Sequence, residues 1–220
     1  MKENLIFDLG FFTGDSSDFY IKNGYKVIGV ECNPKILSLV KEKYKNEISN
    51  GDLIIVEKCI TDKDDNVTSF YLSKCDLWCS ANKNIAERYH ESIEIKVETT
   101  TLKSLIKEYG CPVYCKIDIE GNDVLAVRSL KGLDNIPEFI SVEAECLGKY
   151  ETVTVNLVDE LHDVGYNHFF FVRQSPGYNM EFQIDGCYDW ISYDDAKKEL
   201  KQLQERNWDW GVWADIYAKK

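Results

Sequence analysis

The sequence predicts an α/β fold: an open, mostly parallel sheet with helices on both faces. Three observations predict it. Short apolar runs alternate with amphipathic stretches along the chain, the pattern of strand–helix–strand crossover units. A turn bounded by Gly10 and Gly14 follows the first apolar run, where such a sheet places its ligand. Glu31 closes the second run, 21 residues past Gly10.

The elements follow in order. Asn4–Asp8 is a short apolar strand, and Asp15–Asn23 reads as a helix that Asn23-Gly24 ends. Lys26–Glu31 is the second strand. Asn33 can cap the next helix and Pro34 suits its first position, where a missing N–H costs nothing. Ile36, Leu37, Val40 and Tyr44 then share one helical stripe. Leu53–Val56, Val67–Leu72 and Ile93–Val97 read as strands, with residues 73–91 irregular. Thr100 or Thr101 caps a helix carrying Leu102, Leu105, Ile106 and Tyr109 on one face, and Gly110 stops it. Val113–Ile119 is a strand, Asp123–Leu130 a helix, Phe139–Glu143 a strand and Val153–Val164 a helix. Asn167–Arg173 and Tyr178–Ile184 flank Ser175-Pro176-Gly177 and predict a C-terminal antiparallel hairpin. Tyr193–Arg206 is a polar helix, and Trp208, Trp210 and Trp213 crowd the tail.

The 220 residues suit one domain over 1–220, with the core over 1–185 and the helix and Trp-rich tail over 186–220. Hydrophobic residues at 44% supply a core. A net charge of −12 with scattered Lys and Arg repels phosphate backbones, so no nucleic-acid partner is expected. Leu5-Ile6-Phe7 is too short for a signal peptide. No run approaches the ~20 apolar residues of a membrane span. A cytoplasmic protein without a membrane partner is expected, its eight cysteines free thiols. The Cys75/Cys79 and Cys111/Cys115 spacings lack the tight C-x-x-C knuckle of zinc sites. Oligomeric state is not legible in the pattern.

The chemistry sits after the strands. In Asp8-Leu9-Gly10-Phe11-Phe12-Thr13-Gly14, glycines let the backbone turn sharply and approach a ligand. A carboxylate at Glu31 is placed to accept hydrogen bonds from both ribose hydroxyls of an adenosine. A nicotinamide dinucleotide needs a second glycine where this chain has Phe12, whose ring obstructs a pyrophosphate. Asp15 and Asp18 near Asp8 compete with phosphate at the helix N-terminus. An acidic pocket suits a cofactor with an ammonium and a sulfonium and no phosphate, which is S-adenosyl-L-methionine. A second acidic cluster follows the fourth principal strand, Lys116-Ile117-Asp118-Ile119-Glu120-Gly121. Strand alternation predicts that Asp118 and Glu120 share a face with Lys116 as a partner. Glu143 and Glu145 repeat the pattern on the next strand.

These segments, together with Val30-Glu31, Thr101-Leu102 and Ser141-Val142-Glu143, resemble the FkbM family of methyltransferases over roughly residues 4–172. The Lys-Ile-Asp-Ile-Glu-Gly run is the most specific part. The resemblance implies a class I methyltransferase sheet of seven strands with the last antiparallel, and S-adenosylmethionine as donor. It implies that Gly10 and Gly14 line the methionine moiety, Glu31 the ribose and the loop Glu57–Ile60 the adenine. The cofactor-binding candidates are therefore Asp8, Gly10, Phe11, Thr13, Gly14, Glu31, Cys32, Cys59, Ile60 and Asp118. Phe11 and Phe12 stand where the family commonly has a small residue and an asparagine, and Cys59 where a small residue is common. Family members typically methylate hydroxyl groups, often on sugars or secondary metabolites. The expected partner is a small-molecule or sugar hydroxyl acceptor.

Methyl transfer to oxygen is an in-line displacement, so the enzyme must position the acceptor and take its proton. Asp118, Glu120 and Glu143 are the catalytic candidates, with His90 in the irregular segment a rival base and His162 and His168 structural. The same three carboxylates could supply oxygens to a magnesium ion, although no dedicated spacing supports a metal. Trp78, Ser80 and the tail tryptophans could shape the acceptor site, although the tail reads first as a packed C-terminal strip that covers the sheet edge. Two other classes stay open: a nucleotide- or NAD-binding oxidoreductase, and a non-catalytic relative that binds a partner through its tail.

Overall fold

The computed structural model describes residues 4–146, 157–173, 181–205 and 212–220. The chain runs β1 (Leu5–Leu9), α1 (Asp15–Lys22), β2 (Lys26–Val30), α2 (Pro34–Lys43), α3 (Lys45–Asn50) and β3 (Leu53–Val56). Next come β4 (Cys59–Ile60), β5 (Val67–Ser73), a 3₁₀ turn at Asp76–Trp78, α4 (Lys83–Ala86) and β6 (Ser92–Thr100). Then follow α5 (Leu102–Tyr109), β7 (Tyr114–Ile117), α6 (Asp123–Ser129), β8 (Phe139–Cys146), α7 (Leu157–Asp163) and β9 (His168–Arg173). β10 (Ile191–Ser192), α8 (Tyr193–Glu205) and β11 (Val212–Lys219) close the chain.

The main sheet has the order β10-β9-β11-β8-β7-β1-β2-β3. Strands β3, β2, β1, β7 and β8 are parallel neighbours, and β11 runs antiparallel between β8 and β9. Strand order reverses between β1 and β7, which opens a crevice at their C-terminal ends. Alternation along β1 divides the core. Leu5, Phe7 and Leu9 pack with residues of α5, α6, α7 and α8, whereas Ile6 packs with residues of α1 and α2. The helix signals act as the sequence implied: Asn33 Oδ1 accepts from Lys35 N at 3.1 Å, and Thr101 Oγ1 from Ser104 N at 3.1 Å. Among the described residues no helix is long and apolar enough to cross a membrane.

The structure departs from the sequence reading at three places. The antiparallel partner of β9 is not a hairpin arm at Tyr178–Ile184: residues 181–184 form no strand, 178–180 lie outside the described residues, and β9 pairs with β11 and β10. Phe182 is instead buried among Tyr114, Phe139, Phe170 and Tyr217, and its carbonyl accepts from Tyr20 Oη at 3.1 Å. Apolar alternation there serves a plug for the core rather than a ladder. The tail holds β11 at the heart of the antiparallel half, with Trp213 in it, while Trp208 and Trp210 lie outside the described residues. Finally, β5 and β6 leave the main sheet and form a three-stranded one with β4.

One packing contact fixes the turn after β1. Phe11 is 2% exposed, stacks edge-on to Tyr44 at 5.5 Å and fills the space above Gly29 and Gly14. A Cβ on Gly14 would sit 2.5 Å from the Phe11 ring, and one on Gly29 would also collide with it. Gly29→Ala is expected to cost about 1–3 kcal/mol of unfolding free energy by overpacking, read as a lower urea midpoint at unchanged m-value. Combining it with Phe11→Leu should cost less than the sum of the two single changes.

Candidate functional site

A cavity of about 150 Å³, open to solvent, lies at the C-terminal ends of β1, β2 and β7. Its floor is bare backbone: Gly10 has φ 83°, and a Cβ there would collide with the Asp118 carbonyl. Only glycine permits both the conformation and the approach. One wall carries Glu31, Cys32, Cys59 and Ile60, and the other Asp118, Ile119 and Glu120.

Glu31 is the hub of the first wall. Its Oε1 accepts from Cys32 N at 2.8 Å and Asn33 N at 2.7 Å, and its Oε2 accepts from Phe12 N at 3.1 Å. Burial raises its pKa above the ordinary carboxylate value, against the pull of those three N–H groups. Oε2 is the less occupied oxygen and keeps capacity for a ligand hydroxyl.

Beneath the floor, Asp8 and Lys116 face each other in register on β1 and β7. Asp8 is 2% exposed; its Oδ2 accepts from Ser17 Oγ at 2.7 Å. Its Oδ1 has no hydrogen-bond partner and lies 3.8 Å from Lys116 Nζ. That ammonium donates to Asp118 Oδ2 at 2.9 Å. Burial opposes charge on Lys116, but the carboxylates of Asp118 and Asp8 outweigh it and raise its pKa. Burial raises the pKa of Asp8, with Lys116 working the other way.

The acidic run past β7 is a turn, not the strand continuation that alternation predicted. β7 stops at Ile117, and Glu120 takes φ 52°. The turn is clamped from within: Asp123 Oδ1 accepts from Ile119 N at 3.2 Å, and Oδ2 from Gly121 N at 3.0 Å. Ser80 Oγ donates to the Glu120 carbonyl, and Asn122 Nδ2 to the Ile60 carbonyl at 2.8 Å, joining the two walls. The outcome still unites the three catalytic candidates. One ligand atom each from Asp118, Glu120 and Glu143 lies within 4.8 Å of the others.

The remaining expectations divide. Gly10, Glu31, Cys32, Cys59, Ile60 and Asp118 line the cavity; Asp8 reaches it only through Lys116. Phe11 turns into the core, and Thr13 and Gly14 do not line the wall; Phe12 does. His90 is exposed and borders a separate depression with Trp78 and Tyr89, and His162 stacks on Tyr193 at 3.8 Å. Lys58 lines the cavity within the loop 57–60 that the resemblance implied, whereas sequence reasoning did not single out Phe70 and Leu77, which also line it. Residues 73–91 read as irregular, and the folding of β5 and β6 away from the main sheet was not visible.

Burial, then the charge of Asp118, pushes Asp123 up to about 7. The folded state therefore holds a proton that an unfolded aspartate releases near pH 4, so stability falls as pH rises from about 4 to about 7 and levels off above. Asp8 and Glu31, also raised, act in the same direction. Asp123→Asn is expected to flatten this slope, measured as urea midpoints across that range.

The match to known proteins fits this geometry. The model of the methyltransferase FkbM domain matches residues 9–168. No curated protein matches the chain. Among solved structures, the chain is similar to magnesium protoporphyrin IX methyltransferase of Synechocystis PCC 6803 with bound SAH. The TM-score is 0.50 at 10% identity, over 98% of this chain and 74% of that one. It is similar to the structure described as StiE O-MT residues 961–1257, with TM-score 0.51 at 10% identity over 98% and 67% of the two chains. It also matches methyltransferase FkbM of Methylobacillus flagellatus KT, with TM-score 0.49 at 14% identity over 78% of this chain and 40% of that one. At these identities the structures share the fold. The family match covers most of the chain, and the chain belongs to the FkbM family of S-adenosylmethionine-dependent methyltransferases.

Proposed function

We propose that the protein transfers a methyl group from S-adenosylmethionine to a hydroxyl of a small molecule or sugar. The observation that carries the reading is a cavity with bare backbone at Gly10 and the carboxylates of Glu31, Asp118 and Glu120 on its walls, with Glu143 close to the last two. The residues fit the cofactor's chemistry. Glu31 Oε2 would accept from the ribose, and Ile36, Ile60 and Phe70 give apolar surface for a flat base. Asp118 would face the ammonium, held in place by Lys116. Lys58 lines the cavity together with four acids, Glu31, Asp76, Asp118 and Glu120, a balance suited to a positively charged ligand and poor for a pyrophosphate.

When bound, S-adenosylmethionine supplies an activated methyl carbon. The chain's own work is to orient the acceptor oxygen toward it and to receive the hydroxyl proton. Asp118, Glu120 or Glu143 serves as that base, and their closeness lets neighbours share the incoming charge. The 3₁₀ turn adds Asp76 and Leu77 to the cavity wall, with Cys79 beside them.

S-adenosylhomocysteine at 100 times its Kd is expected to raise Tm by about 5–10 °C, while NAD leaves it unchanged; the reverse result contradicts the reading. Glu143→Gln is expected to lower kcat by about 10²–10⁴-fold with S-adenosylhomocysteine affinity kept.

The 4.8 Å grouping of Asp118, Glu120 and Glu143 specifically favours a second reading, in which a divalent cation activates the hydroxyl. In that case EDTA abolishes transfer and magnesium restores it. Turnover indifferent to EDTA leaves the side-chain base.

A further inference from the structure

We propose that Phe12 is a specificity-determining residue that presents its ring to the sulfonium and sets the cavity's preference for the charged donor over its neutral spent thioether. This rests on the donor reading above.

Three observations support it. Phe12 has φ 45°, a left-handed conformation that is rare for a bulky aromatic residue. Such an outlier persists where its surroundings impose it, and it is often functional. Here the constraint is the bond from its N–H to Glu31 Oε2. Second, the two adjacent phenylalanines part ways. Phe11 is consumed by the core against Tyr44, Gly14 and Gly29, whereas Phe12, only partly buried against that core, also lines the cavity. Third, Phe12 lies on the loop between the Gly10–Asp118 floor and the Glu31 wall. The sulfur of the donor is bonded to the ribose on one side and to the methionine chain on the other. With the ribose at Glu31 and the amino-acid end at Asp118, the sulfur falls between them, on the stretch that Phe12 covers.

An aromatic face attracts a weakly hydrated cation through its quadrupole and offers a neutral thioether only dispersion. Carboxylates on the same wall attract the donor's ammonium and the product's ammonium alike, so they discriminate less between the two. A ring at Phe12 therefore adds what the acids do not supply: weaker retention of the product once the methyl group and its charge have left.

The test is calorimetric affinity for S-adenosylmethionine and for S-adenosylhomocysteine in the wild type, Phe12→Leu, Phe12→Asn and Phe12→Tyr. Leucine keeps the apolar bulk and removes the ring. Asparagine tolerates left-handed backbone, which offsets part of the apolar packing it removes, and the apo Tm of each variant reports whether it is folded, so Phe12→Asn stays informative if Phe12→Leu folds poorly. The expected result is a loss of about 3–30-fold in affinity for S-adenosylmethionine in the ringless variants, a change under about twofold for S-adenosylhomocysteine, and retention of both in Phe12→Tyr. Equal loss for both ligands, or loss for neither, overturns the inference. A wild-type protein that binds neither ligand overturns the donor reading and this inference with it.

Discussion

The ammonium of Lys116 holds the site together. It stands between Asp118 at 2.9 Å and Asp8 at 3.8 Å, directly under the floor of the cavity. Asp8 is buried, and the Lys116 charge offsets part of the cost of placing a carboxylate there. Everything above the floor inherits this arrangement. Asp118 is aimed by it, the Gly10 turn lies against the Asp118 carbonyl, and the clamp by Asp123 carries the chain onward into α6. The acidity of the site is thus supported from below by one lysine on a central strand.

A second constraint comes from the side. Glu31 spends most of its acceptor capacity on the backbone of its own turn and of Phe12, so it shapes the loop as well as facing the cavity. A residue with both duties cannot be exchanged for glutamine without loosening the loop, since the amide offers one acceptor oxygen in place of two. The walls are further tied by Asn122 to Ile60 and by Ser80 to Glu120. These cross-links join the β5–β6 insertion to the acidic turn, which makes that insertion part of the cavity rather than an appendage.

Much of this was legible in the sequence. Strand and helix alternation, the Pro34 and Thr101 starts, and the Gly10 and Glu31 spacing all express local rules, and β3 and α5 fall on the residues predicted. What stayed illegible depended on distant partners. Nothing near Tyr178–Ile184 tells a hairpin arm from a segment whose Phe182 is captured by a core of aromatic residues from β7, β8, β9 and β11. That Phe11 is the ring taken into the core depends on Gly29, on another strand, whose missing side chain makes room for it. The three carboxylates were found by the wrong route. Alternation placed Asp118 and Glu120 together on a strand, whereas a turn with left-handed Glu120 brings them together.

The most direct measurement is a crystal structure with S-adenosylhomocysteine bound. The account requires ligand density against Gly10, a ribose hydroxyl within hydrogen-bond distance of Glu31 Oε2, the α-amino group at Asp118, and the ring of Phe12 beside the sulfur. Density that lies elsewhere, or a ribose held by groups other than Glu31, would contradict it.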